Sequence, residues 1–249
     1  MGAGRDPDMD LDNAIAGVDS GANRDVAYLA QRYSARLPKS EKIMKRTPAE
    51  WNGILIRCEV KPTIAAIWST IFADVIGPDT FSAGDEEIDD FLGQLLHESH
   101  RLERLEEGLY YKTPGLLMKT WPTRFRSLAD ELPYLRNPQA LAENVYFGRM
   151  GNVNPGDGWR NRGSGLLQVT GADNLRAVQA ATGIPVFDNP ELLRKATKEC
   201  LLVCIAWWEG NVPDSVMGDI VKVTKKVNGG KIGLDDRIAL TNKAGSALA

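Results

Sequence analysis

The chain has 249 residues, 43% of them hydrophobic and 25% charged, which is enough to bury a full core and is ordinary for a soluble globular protein. A formal charge of −3 leaves no basic footprint for nucleic acid. Three cysteines, Cys58, Cys200 and Cys204, are too few and of the wrong parity for a disulfide framework, and point to synthesis in a reducing compartment.

Residues 1 to about 22 are rich in Gly, Asp and Ala and read as a flexible acidic tail. The start lacks a basic n-region followed by an apolar h-region, so a secretory signal is not expected. Asn23 to Leu37 has the spacing of one amphipathic helix, and a basic, Pro-flanked linker follows (Pro38, Lys39, Lys42, Lys45, Arg46). We therefore divide the chain into a tail and linker, 1–47, and a folded domain, 48–249.

From Thr47 the pattern is densely helical. Thr47-Pro48-Ala49-Glu50 supplies a cap, a proline at the first helical position and a glutamate three residues after the cap, opening a helix through Cys58. Lys61-Pro62 opens the next, to Ile76. Its apolar window, Thr63 to Gly77, carries Asp74 and is too short to span a bilayer, so no stable membrane insertion is expected. A third helix runs from Asp85 to about His100, with Ile88, Phe91, Leu92, Leu95 and Leu96 on its apolar side. Short helices follow at Thr113 to Lys119 and Phe125 to Leu132, and another at Pro138 to Val145, capped by Asn137.

Gly148 to Gly171 is different: seven glycines and a proline mark an irregular loop. A loop of that length in a compact domain is usually functional or mobile. Trp159, Arg160, Arg162, Gln168, Thr170 and Asn174 give it an aromatic face, cations, amides and a hydroxyl, a mixture suited to gripping sugar hydroxyls and N-acetyl groups. Helices return at Asp173 to Thr182, Pro190 to Ala196, Lys198 to Trp208 and Ser215 to Val227. Asn228-Gly229-Gly230 forms a turn, and Asp235 to Ala247 closes the chain. Of Trp207 and Trp208, one fills the core and the other lines a groove. With no sustained period-2 pattern, the expected class is all-α.

The chemistry concentrates in HESHRLERLEEGLYY, His97 to Tyr111. Breaking a glycosidic bond takes one protonated carboxylic acid and one ionised carboxylate. Glu98, behind the apolar run, suits the acid; Glu106 and Glu107, in a Gly-containing polar stretch that reads as solvated, are both candidates for the base, and Glu103 is a weaker one. At about 100° per residue, one continuous helix would put Glu107 on the face opposite Glu98, so the helix must break near Ser99 to Leu102. A zinc protease motif fails because position 101 is Arg where HExxH needs its second histidine, and no metal is expected.

Taken together, HES, EEGLYY, TWPTRF, RNPQALAENVYFGRMGN, GDGWRNRGSGLLQVTGADN, NPELL and NGG followed by DDRIAL occur in an order that resembles glycoside hydrolase family 19, in particular its bacteriophage endolysins and bacterial chitinase-like members. The resemblance runs from about Pro48 to the C-terminus. It implies a lysozyme-like, two-lobed helical fold with a deep cleft, an inverting mechanism and no cofactor. Glu98 matches the general acid, Glu107 the water-activating base and Thr170 the hydroxyl residue that holds the water. Gln168 and Asn174 match substrate contacts, Asn228 the Asn of the NGG turn and Arg237 the cleft arginine. Peptidoglycan is the implied partner, cut by a monomer made in a host cytoplasm and released to the wall through a holin; a chitinase, or a wall-binding or virion protein of the same fold, are the other readings. The chain departs from the family pattern at His100 and Arg101, where two glycines usually stand, and at Asn161 and Ser164, where Tyr and Arg are usual.

Overall fold

The computed structural model describes residues 45–249; the acidic tail and the Asn23 to Leu37 helix lie outside the described residues. The described chain is all-α, with two isolated antiparallel bridges (Glu106 to Ser164, Ser164 to Val169) as its only β pairing. Among the described residues no helix is long and apolar enough to cross a membrane.

The helices are α1 (Pro48–Arg57), α2 (Pro62–Val75), α3 (Asp85–Glu98), α4 (Leu116–Thr120), α5 (Leu128–Glu131), α6 (Pro138–Tyr146), α7 (Asp157–Arg160), α8 (Ala172–Thr182), α9 (Lys198–Asn211), α10 (Ile220–Asn228) and α11 (Leu234–Leu248). Their starts follow from capping. Thr47 and Glu50 close a reciprocal capping box on α1, and Asn137 accepts the amide of Ala140 at the head of α6. Thr197 and Asp219 cap α9 and α10 in the same way.

Three expectations are corrected. Pro190 to Ala196 is only a 3₁₀ turn, Pro190–Leu192, because the stretch is committed to Arg194 contacts and to the cap of α9. The helix expected over Ser215 to Val227 is a 3₁₀ turn, Asp214–Val216, and then α10, separated at Gly218, whose φ of +78° ends the first. The glycine-rich loop holds one helical turn, α7.

α3 is the axis of the larger core. Ile88, Phe91, Leu92, Leu95 and Leu96 are at most 1% exposed, and Phe91 meets Trp208 edge-on at 5.4 Å. Trp208 is thus the core ring of the tryptophan pair, and Trp207 is partly buried at its edge. α11 lies against the other side of α3 so closely that a Cβ on Gly93 would sit 2.0 Å from Thr241 Oγ1. Cys58, Cys200 and Cys204 are buried, and burial pushes the Cys200 thiol up to about 12. A separate, smaller core (Leu109, Leu117, Trp121, Phe125, Leu141, Val145, Tyr146) is built by α4, α6 and the segments on either side of α4.

Candidate active site

α3 ends at Glu98, with Ser99 as its cap. The next three residues, His100, Arg101 and Leu102, carry φ of 49°, 58° and 68°. Left-handed backbone is costly for residues with a Cβ, and three in succession need external support. Leu102 is sunk into the larger core. Its amide donates to Ser99 Oγ at 2.9 Å, and the Arg101 and Arg104 amides donate to the carbonyls of Leu96 and Ser99. The Arg101 guanidinium grips both oxygens of Asp236, at 2.5 and 2.8 Å, and reaches Glu59 at 3.0 Å. Asp236, in the first turn of α11, also binds His97 Nδ1 at 2.7 Å. Burial works to raise the Asp236 carboxyl but is outweighed by the hydrogen bonds and charges of Arg101 and His97, which hold it at about 2. The helix thus breaks where the acid-base geometry required, and the turn is clamped onto α11.

Glu98 does not sit among apolar residues alone, as the sequence suggested. Its Oε1 accepts from Arg237 Nη2 at 2.5 Å, and Arg237, 1% exposed, uses its other two nitrogens as well: Nη1 donates to Gln94 Oε1 at 2.6 Å and Nε to the Ile232 carbonyl at 3.1 Å. Gln94 Nε2 in turn donates to Thr224 Oγ1 at 3.2 Å. Glu98 Oε2 has no hydrogen-bond partner among the described residues.

The second carboxylate also differs from expectation. Glu107 is buried, 6% exposed, rather than solvated. Its amide donates to the Gly163 carbonyl at 2.9 Å, the Gly163 amide donates to its Oε2 at 3.2 Å, and the Tyr146 hydroxyl donates to its Oε1 at 2.5 Å. Glu106 takes the exposed place, its side chain 54% accessible and paired with Arg162 at 2.6 Å. The two residues alternate in this way because the segment is extended and bridged to Ser164, so successive side chains point to opposite faces. Between the two carboxylates in the chain, His100, Glu103, Arg104, Leu105 and Glu106 line an open cleft of about 400 Å³.

The glycine-rich loop supplies the wall behind Glu107. A Cβ on Gly163 would lie 2.9 Å from Gln168 Oε1 and 3.1 Å from Glu107 Cβ, so the Gln168 amide and the Glu107 side chain flank the same bare glycine. Gln168 Nε2 donates to the Gly165 carbonyl at 2.9 Å, while its buried Oε1 has no hydrogen-bond partner. Thr170, 6% exposed, donates its hydroxyl to the Gln168 carbonyl at 3.0 Å, and the Asn174 amide holds the Thr170 carbonyl at 2.7 Å. Trp159 and Arg162 are engaged with each other, the guanidinium lying 3.7 Å over the ring. Asn228 serves its own turn, donating to the Ile232 carbonyl and accepting from the Gly230 amide.

Glu98 with Arg237, and Glu107 with Tyr146 and Gly163, are therefore two built clusters; Gln168 flanks the second across Gly163, and Thr170 joins it only through the Gln168 carbonyl. Trp159, Arg162, Asn174 and Asn228 have the polar groups just named engaged within the protein. Sequence reasoning gave no role to Tyr146 or Gln94. A tyrosine on the buried face of α6, beside Leu141, Ala142 and Val145, was the available signal, since a buried phenol needs a partner for its hydroxyl.

No family model matches the chain. In overall shape it is similar to chitinase C from Streptomyces griseus HUT6037, with a TM-score of 0.43 and 15% identity over 81% of this chain and 91% of that one. A mutant of chitinase C gives a TM-score of 0.44 and 14% identity, covering 84% and 95%. A protein of Haemophilus influenzae (strain ATCC 51907 / DSM 11121 / KW20 / Rd), described as a glycosyl hydrolase family 19 domain-containing protein, is 33% identical over 152 residues, which is 60% of this chain and 74% of that protein. With that identity over that share of the relative, the chain belongs to glycoside hydrolase family 19.

Proposed function

We propose that this family 19 chain is a monomeric, endolysin-type glycosidase that hydrolyses β-1,4 linkages in the amino-sugar backbone of peptidoglycan, without a cofactor and with inversion. The observation that carries the reading is the pair of glutamates on either side of the strained turn, each held by its own partners: Glu98 by Arg237 and Glu107 by Tyr146 and Gly163. In this mechanism Glu98 donates a proton to the leaving oxygen through Oε2. Glu107 takes the proton of the attacking water, which the Thr170 hydroxyl orients by accepting a hydrogen bond. Gln168 stands beside Glu107 as part of the wall behind it. Arg237 fixes the rotamer of Glu98; Trp159, Arg162, Asn174 and Asn228 shape the loop and turn that enclose the chain of sugars.

Peptidoglycan is favoured over chitin by the cleft's lining. Glu103 with its partner Lys61, Arg104, and Glu106 with its partner Arg162 place charges of both signs at this cleft, which suit a glycan bearing charged peptide branches better than a neutral polymer. The place of action that goes with this substrate is the bacterial wall, reached after release from the cytoplasm.

Purified protein should release new reducing ends from murein and clear permeabilised Gram-negative cells, and Glu98→Gln should abolish both while the circular dichroism spectrum stays unchanged. Equal lysis by the variant removes Glu98 from the acid's role. Turnover on chitin oligomers but not murein assigns the chain to chitinase chemistry, and tight binding to sacculi without new reducing ends assigns it to a wall-binding role.

A further inference from the structure

Glu107 is gripped at both carboxylate oxygens, and the two grips come from different elements: Gly163 in the glycine-rich loop and Tyr146 at the end of α6. The backbone grip is fixed by the paired Glu107 and Gly163 main chains. The phenol grip depends on where α6 sits. Tyr146 is 1% exposed, its ring packed in the smaller core with Leu141, Val145 and Trp121.

The position of Tyr146 is itself tied to the far wall of the site. Its carbonyl accepts from Asn152 Nδ2 at 3.2 Å. Asn152 Oδ1 accepts from Asn161 Nδ2 and from the Ala172 amide, each at 3.0 Å, and the Asn161 carbonyl accepts the Gly171 amide at 2.8 Å. Both asparagines are 0% exposed. One buried amide pair therefore anchors Tyr146 at one end and the two residues after Thr170 at the other.

We infer that Tyr146 is a positioning residue for Glu107: its hydroxyl fixes the rotation of the carboxylate, and the Asn152–Asn161 pair keeps that hydroxyl in register with Thr170. The inference rests on the reading of Glu107 as the base. A carboxylate held at one oxygen by a phenol and at the other by a main-chain amide keeps its remaining lone pairs in one orientation, so proton abstraction needs no prior rotation. Tyr146 acts through Glu107, whose Oε1 its hydroxyl holds. Its loss therefore acts on turnover rather than on sugar binding.

The test compares wild type, Tyr146→Phe and Glu107→Gln on purified murein, following kcat, KM and the pH profile of kcat/KM, with thermal unfolding as a check on folding. Phenylalanine keeps the ring and removes only the hydroxyl. A hydrogen bond to a charged group is worth a factor of roughly 10 to 100. Tyr146→Phe should lower kcat by about that factor, leave KM within about twofold, and move the acid limb of the profile up by roughly one pH unit, because an ionised carboxylate that loses a donor is more easily protonated. A variant with wild-type kcat and an unmoved acid limb overturns the inference while Glu107→Gln, if inactive, leaves the base assignment standing. Turnover by Glu107→Gln, or no turnover by the wild type, overturns the base reading and the inference with it. Should Tyr146→Phe unfold, 3-fluorotyrosine at position 146 replaces it: the more acidic phenol is the stronger donor and should move the acid limb down, and an unmoved limb overturns the inference.

Discussion

The turn after Glu98 is where sequence and backbone conflict most, and a pair of substitutions measures the conflict directly. His100 has φ +49° and is followed by two more left-handed residues. His100→Ala removes the imidazole and keeps the Cβ; His100→Gly removes both. Their difference isolates the backbone. A residue with a Cβ in left-handed conformation costs about 1–2 kcal/mol, while glycine's greater freedom in the unfolded chain returns about 0.4–1 kcal/mol of that. The glycine variant should therefore be the more stable by about 0.5–1 kcal/mol, whereas at an ordinary helical position glycine is the less stable of the two by about the same amount. The sign is thus diagnostic. Urea unfolding at equal m-value reads it, with a rise of roughly 1–4 °C in Tm as support. An alanine variant equal to or more stable than the glycine variant would falsify the left-handed turn, and with it the route by which the chain is carried from Glu98 to Glu107.

Two further outcomes follow from the same end of α3 and from its start. Gly233 caps α11 at φ +68°, and a Cβ there would lie 2.1 Å from His97 Cε1 and 2.2 Å from Nε2, so Gly233→Ala should cost more than about 2 kcal/mol by displacing the ring from Asp236. A Tm unchanged within a degree would mean that His97 does not pack on this turn. Glu87 is fully buried, accepting from Trp208 Nε1 at 2.5 Å, and burial together with the Glu209 charge pushes its carboxyl from 4.5 up to about 8. The folded protein then keeps a proton that the unfolded chain releases. Stability is fully present below about pH 4.5 and falls as pH rises towards 8, by something of the order of 5 kcal/mol from this group. Glu87→Gln should flatten that fall and raise Tm at pH 8 while changing it little at pH 5; parallel curves for the two proteins would refute the burial of an ionisable proton here.

Where local chemistry decided the structure, the sequence was legible. Capping residues and helix-opening prolines placed α1, α2 and α6 within a residue or two at their starts, and the apolar side of α3 is the one in the core. The break after Glu98 followed from the need to bring a second carboxylate round, without any glycine to signal it. What was illegible depends on partners distant in the chain. Glu107 looked solvated because Gly108 and Glu106 flank it, and its burial comes from Tyr146 and Gly163, 39 and 56 residues away. Arg237 hydrogen-bonds Glu98 from 139 positions along, so an acid that reads as sitting among leucines has a guanidinium beside it.

Three of the four departures from the family pattern point the same way, because each is matched by a contact elsewhere in this chain. Ser164, at a position where arginine is usual, has its hydroxyl donating to the Arg162 carbonyl at 2.8 Å and accepting from Arg194 Nε at 2.9 Å, so a guanidinium reaches that point of the loop from 30 residues on. Asn161, in place of tyrosine, is fully buried and joins Asn152 in the tie behind Tyr146. Arg101, in place of glycine, secures with Asp236 the left-handed turn that glycine would adopt unaided. The amides of Asn161 and Asn152, the hydroxyl of Ser164 and the two terminal guanidinium nitrogens of Arg101 are hydrogen-bonded, while Arg162 Nε and Gln168 Oε1 in the same loop are buried without a partner. The substituted side chains at 101, 161 and 164 are thus held by partners within the chain, and it is release of reducing ends from murein, rather than their hydrogen bonding, that separates a glycosidase from a wall-binding remnant.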